Sequence, residues 1–145
     1  AFDRIHGTNK HSIGFLENFG ADIGAFASTW SFHENNLIVL GSNDSDMAIA
    51  SNHLIKNQGG LVVVKSGKIL ASLPLQFGGI ISTDSFETVS SNFEKINNTI
   101  MDLGCKFTRP HLIPLFLPFL ALPSVRILAS GIVDVKKRSY ISPIN

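Results

Sequence analysis

The chain has 145 residues, 44% of them hydrophobic and only 16% charged, with a formal net charge of +1 at pH 7. That length fits one domain around a single well-filled core. The basic residues are scattered, the densest cluster being Lys136-Lys137-Arg138, which excludes the basic stripe that tracking a nucleic-acid backbone requires.

So few charges also point to an apolar face that another domain or chain covers. Cys105 is the only cysteine, so no intrachain disulfide can form, which fits a reducing cytoplasm. Ala1-Phe2-Asp3-Arg4 lacks the charged-then-apolar pattern of a secretory leader. The most apolar stretch, Leu112 to Pro123, contains Pro114 and Pro118 and falls short of the roughly 20 residues a spanning helix needs. It reads as an extended, buried connection, and no membrane partner is expected.

Taken in chain order, His6 and His11 lie near a first strand, on opposite faces if that strand is regular. Asn36 to Leu40 is a short apolar run ending at Gly41, the pattern of a buried strand. Ser42 to Asp46 then offers several N-cap residues, and Met47, Ala50, Leu54 and Ile55 recur at helical spacing until Gly59-Gly60 stops the helix. Leu61 to Lys65 and Lys68 to Leu73, joined by Ser66-Gly67, make a hairpin. A second helix starts with Asp84 three residues before Glu87, a capping-box spacing. It carries Phe86, Val89, Phe93, Ile96, Ile100 and Leu103 as one apolar stripe, with Phe93 expected in the core, and ends at Gly104. Arg126 to Leu128 and Ile132 to Val135 flank Ser130-Gly131 as a closing hairpin, with Lys136 to Arg138 at a solvated strand end. The fold class is α/β in the α+β sense: a single domain over residues 1–145, with helices packed on a mixed, mainly antiparallel sheet.

The histidines, His6, His11, His33, His53 and His111, form no His-x-His or His-Glu-x-x-His pair. No metal site is expected in this chain. Cys105 follows a helix C-terminus, where the partial negative charge disfavours a thiolate, and reads as a small core residue. Gly59-Gly60 and Gly78-Gly79 lack the Lys-Ser/Thr ending of a phosphate-binding loop and read as turn or close-packing glycines. The segment from Ser28 to Asn36 differs. It sets Trp30 and Phe32 beside His33, Glu34, Asn35 and Asn36, directly before a buried strand. Loops at strand ends carry binding groups on a fixed scaffold. Trp30 and Phe32 suit stacking on a planar base, and Glu34 and Asn35 suit reading its edge. The bland reading is a surface loop around a half-buried tryptophan. Catalytic residues are expected nowhere in the chain.

Several pieces taken together resemble one family. Gly14-Phe15-Leu16-Glu17-Asn18-Phe19-Gly20 followed by Gly24-Ala25-Phe26-Ala27-Ser28-Thr29 is similar to the opening of the C-terminal domain of bacterial-type adenine deaminases. So are Leu37 to Gly41 with Asn43-Asp44 and Asp46-Met47-Ala48, Gly59 to Val64, Gly78 to Ser82, Leu103-Gly104-Cys105, Phe119 to Pro123 and Gly131 to Val135. The resemblance runs in one register from about residue 4 to the end. It implies an accessory domain of an amidohydrolase-superfamily enzyme that converts adenine and water to hypoxanthine and ammonia. In that family a TIM-like barrel preceding this domain holds a divalent metal (Mn, Fe or Zn) and the acid/base groups. That barrel is not part of these 145 residues, so the chain alone is expected to be inactive. The implied partners are the barrel, in the same or a separate chain, and a purine base, with self-association open. One departure falls on the loop: where the family carries His-Asp-Ser-His-Asn, this chain reads Phe32-His33-Glu34-Asn35-Asn36. A stand-alone, non-catalytic binding or assembly module derived from the same domain is the alternative.

Overall fold

Leu61-Val62-Val63-Val64 offers no polar residue to turn towards water, and the fold leaves none of the four exposed. The computed structural model describes residues 1–32 and 34–142. Its first sheet has the order β2-β1-β3-β4, from β1 (Ala25–Ser28), β2 (Ile38–Gly41), β3 (Gly60–Lys65) and β4 (Lys68–Pro74). Every pairing in it is antiparallel. Two helices cover its two faces. Phe26, Leu61, Val63, Ala71 and Leu73 pack with Ile96 and Ile100 of α2 (Phe86–Asp102). Ala25, Ala27, Val62 and Val64 pack with Ala50 and Leu54 of α1 (Asp44–Lys56). The period-2 alternation of strand side chains thus feeds two apolar layers instead of one, which is why Ala25 to Ala27 and Leu61 to Val64 are unbroken apolar runs.

Asn43 caps α1, its side chain accepting from the Asp46 N–H at 2.9 Å. Asp46 is itself buried and accepts from the Ser66 and Gly67 N–H groups, at 2.8 and 2.7 Å, fastening the hairpin turn to the helix start. Those bonds, that of Gly67 foremost, hold its carboxyl below the ordinary carboxylate range. Two details differ from the sequence expectation. Ile55 is 69% exposed, because it lies about 100° round the helix from Leu54. The left-handed residue after the helix is Gln58, φ 62°, not a glycine. Gly59 serves close packing, since a Cβ there would sit 2.4 Å from the Cα of Gly79.

In α2 the cap is Ser85, whose Oγ accepts from the Thr88 N–H at 3.3 Å, one residue later than the Asp84–Glu87 spacing suggests. Ile96 and Ile100 are fully buried, while Phe86 is 81% exposed and Phe93 only half-buried. Packing of the stripe begins at Val89. Phe93 touches Trp30 and His111, with ring centroids 5.4 and 5.3 Å apart. Phe93→Ala should therefore cost ~1.5–3 kcal/mol in urea unfolding, less than a fully buried phenylalanine. A loss above that range would mean the ring is sealed from water.

The proline-rich segment is neither extended nor buried throughout: Pro114, Leu115 and Pro118 are buried, while Ala121 and Pro123 are exposed. Pro110–Leu112 forms a 3-10 turn running into α3 (Ile113–Phe116), with Pro110 and Pro114 in first turns. Proline suits that position, where its missing N–H has no helical partner to lose. A second sheet, β5-β6-β7, follows: β5 (Val125–Leu128), β6 (Gly131–Asp134) and β7 (Ser139–Ile141). Its first two strands are the expected hairpin. The third was not expected, and Lys136 to Arg138 form the turn that leads to it. Residues 3–10 form no strand. The N-terminal segment bridges Phe2 to Leu37 and to His11, and the chain between loops outward. His6 and His11 are therefore not on opposite faces of a strand.

Candidate functional site

The loop from Thr29 to Asn36 crosses from β1 to β2 and is tied down at both ends. Thr29 Oγ1 donates to the Gly79 carbonyl at 2.6 Å and accepts from the Gly60 N–H at 2.8 Å. Ser28 Oγ accepts from the Trp30 N–H at 3.0 Å. Ser31 Oγ accepts from the Asn35 N–H at 2.9 Å, closing the loop on itself. Asn35 sits at φ 47°, a left-handed conformation that asparagine tolerates better than most residues. Thr29, Ser31 and Asn36 are buried, and the bonds above give the Thr29 and Ser31 hydroxyls their partners.

Among the described residues, the expected site residues are not brought to one place. Trp30 turns inward: Phe93 lies against it, and His111 stacks on it at 6.4 Å with an interplanar angle of 15°. Phe32, 53% exposed, leans on Phe116 and Phe119 instead. His33 lies outside the described residues. Glu34, Asn35 and Asn36 face a different way, onto a cavity of about 610 Å³ whose wall also includes Asp3, His6 and Lys10. Asn36 Nδ2 donates to Glu34 Oε2 at 3.0 Å, and Asn36 Oδ1 accepts from the Arg4 N–H at 2.9 Å.

The spacing along the N-terminal segment does not announce this neighbourhood. Asp3 accepts from the Thr8 hydroxyl and from the His6 and Thr8 N–H groups. The Thr8 hydroxyl, first among these, holds the Asp3 carboxyl well below the usual carboxylate range. Arg4 donates to the carbonyls of Asn35 and Gly78. The only hint in the sequence is the density of polar and charged residues from Asp3 to His11.

The other histidines serve packing. His53 Nε2 meets Ser72 Oγ at 2.9 Å and Asn57 Nδ2 at 3.1 Å. His111 Nδ1 donates to Asn97 Oδ1 at 2.6 Å. Burial, with Lys56 and Arg109 nearby respectively, lowers the pKa of each, favouring the neutral ring. Cys105 is buried, with Sγ donating to the Phe19 carbonyl at 3.3 Å. Among the described residues no group of three or more His, Cys, Asp and Glu side chains is placed to hold a metal ion. None of their helices is long and apolar enough to cross a membrane.

Fold and loop together define a small α+β domain that offers hydrogen-bonding groups at one edge. The chain belongs to the adenine deaminase C-terminal domain family, whose model matches residues 1–139. It is 59% identical over 144 residues to an adenine deaminase of Cenarchaeum symbiosum, covering 99% of this chain and 24% of that protein. An adenine deaminase of Brucella abortus is 39% identical over 137 residues, 94% of this chain and 24% of the relative. One of Clostridium botulinum is 37% identical over 141 residues, 97% of this chain and again 24% of the relative. The chain thus spans about a quarter of the length of the curated relatives it matches.

Proposed function

We propose that this chain works as the C-terminal domain of an adenine deaminase-like hydrolase. In the overall reaction, water adds its oxygen at the purine carbon that bears the amino group, and that group leaves as ammonia, giving hypoxanthine. The observation that carries the proposal is a family match along nearly the whole chain to proteins named adenine deaminase, of which it covers only a quarter. The rest of the parent supplies the amidohydrolase barrel, whether in the same or a separate chain. The family's divalent metal is assigned there, because the described residues bring together no ligand set that fits it. A cytoplasmic enzyme suits the single, buried thiol.

Within that enzyme this domain buries apolar surface against the barrel and presents the Glu34–Asn36 edge to the substrate side. Glu34 accepts hydrogen bonds only, whereas a carboxamide both donates and accepts, so the pair can read a purine edge.

Two measurements test the reading. The 145-residue chain by itself should release no ammonia from adenine in a coupled assay, with or without added Mn, Fe or Zn. Metal-dependent turnover by this chain would overturn the assignment of the chemistry to the barrel. In the parent-length protein, Glu34→Ala combined with Asn35→Gly should lower turnover roughly 10- to 100-fold, the loss of one or two hydrogen bonds to charged or polar partners. Glycine is chosen at position 35 because alanine would strain at φ 47°. Unaltered kinetics in that double variant would leave the edge as surface.

A further inference from the structure

We propose that Arg4 is the positioning residue of the Glu34–Asn36 edge, its guanidinium holding the Asn35 main chain against the Gly78–Gly79 turn. The assignment rests on the role proposed above for that edge.

Arg4 reaches the loop by two routes. Its N–H donates to Asn36 Oδ1 at 2.9 Å, and the Ile5 N–H approaches the same oxygen at 3.4 Å. With its oxygen committed there, the Asn36 carboxamide turns its Nδ2 to Glu34 Oε2 at 3.0 Å. That main-chain route sets the carboxylate direction and survives both Arg4→Ala and Arg4→Lys, so substituting Arg4 probes the second route alone. The second route is the side chain: Nε donates to the Asn35 carbonyl at 3.0 Å, holding the residue whose φ is 47°. Nη2 donates to the Gly78 carbonyl at 2.9 Å.

The guanidinium is braced as well as bonded. It lies against Gly79, where a Cβ would come within 2.7–2.9 Å of Nη1, Cζ and Nη2. The Gly79 carbonyl in turn accepts from Thr29 Oγ1 at 2.6 Å. Thr29 begins the loop and Asn35 lies near its end, so the Arg4–Gly79–Thr29 chain closes a frame around it. Two of the fork's five donors are committed to carbonyls in this frame, which assigns Arg4 to holding the edge. Lysine carries its three donors on one rotatable point charge with no planar fork, so it does not hold the Asn35 and Gly78 carbonyls in the same fixed geometry.

The test uses the parent-length protein and a double-mutant cycle between Arg4→Ala and the Glu34→Ala/Asn35→Gly variant. Arg4→Ala should lower kcat/KM for adenine about tenfold, with Arg4→Lys failing to restore it and added guanidinium ion restoring part of it. Introduced into the Glu34→Ala/Asn35→Gly background, Arg4→Ala should bring no further loss, because both act through one edge. In the 145-residue chain, Arg4→Ala should speed amide hydrogen exchange at Asn35 while leaving α1 and β3 protected. Full activity of Arg4→Ala, in a protein where the loop variant is impaired, would overturn the assignment and leave the edge's role intact. Independent, multiplying losses would overturn it too, as would exchange that rises equally throughout the fold. An unimpaired loop variant would instead sink the edge's role, and the Arg4 assignment with it.

Discussion

Replacing Phe26 with alanine should remove about 3–5 kcal/mol of folding free energy, a large part of what a domain of this size has to lose. Phe26 is fully buried in β1, an interior strand of the first sheet, with Leu40 and Val63 as its register partners on either side. It belongs to the layer under α2 with Ile96 and Ile100. The opposite layer gives it no help in closing a void, since Ala25 and Ala27 lie on the far face beneath α1. Phe26→Leu keeps most of the volume and should cost under about 1.5 kcal/mol. Trp30 is the only tryptophan and packs against this same layer, so its fluorescence follows unfolding in urea. A loss below about 1 kcal/mol for the alanine variant would mean that the two-layer core is wrong.

The core was the part most legible in the sequence. A run such as Leu61 to Val64 reads as a strand buried on both faces because nothing in it can face water, and Ser66-Gly67 marks where it must turn. The α2 stripe was equally plain at Ile96 and Ile100, whose spacing puts them on one helical face. Its ends were not. Phe86 has the right spacing but is largely exposed, and periodicity cannot report where a neighbouring element stops. The same gap hid β7, three residues paired to β6, and the helical turns around Pro110 and Pro114.

The candidate loop was legible in composition and misleading in direction. Trp30 beside Glu34 and Asn35 looks the same in one dimension whether the ring faces a ligand or the core. What turns it inward is Phe93 and His111, which arrive from distant parts of the chain. Asn36 reads as a polar loop residue, yet it is buried because the main chain of Arg4 comes to meet it. Contacts of that kind depend on where an irregular N-terminal segment folds back, and no repeat or spacing encodes that.

Gly60→Ala should be about as damaging as the loss of Phe26, for a different reason. Gly60 begins β3 at φ 132°, and a Cβ there would lie 2.1 Å from the Leu73 carbonyl oxygen and 3.1 Å from the Pro74 Cα. Those are backbone atoms of Pro74, its register partner in β4, and of the adjacent Leu73, so no side chain can rotate to make room. Gly60 cannot retreat either, because its N–H is held by Thr29 Oγ1 at 2.8 Å and its carbonyl accepts from the Thr29 N–H at 3.0 Å. Backbone strain of ~1–3 kcal/mol adds to overpacking of ~1–3 kcal/mol. Gly67→Ala separates the two terms. Gly67 also has a positive φ, 75°, but nothing lies within 4 Å of its added Cβ, so it should cost only the backbone part, about 1–2 kcal/mol. The comparison is made by urea unfolding, with recovery in the soluble fraction recorded for the Gly60 variant. If Gly60→Ala unfolds no more easily than Gly67→Ala, β3 and β4 do not approach as closely as the structure has them. If it is markedly less stable, and Asn35 also loses its amide protection, the closeness of Gly60 to β4 is what keeps Thr29, and through it the loop, in place.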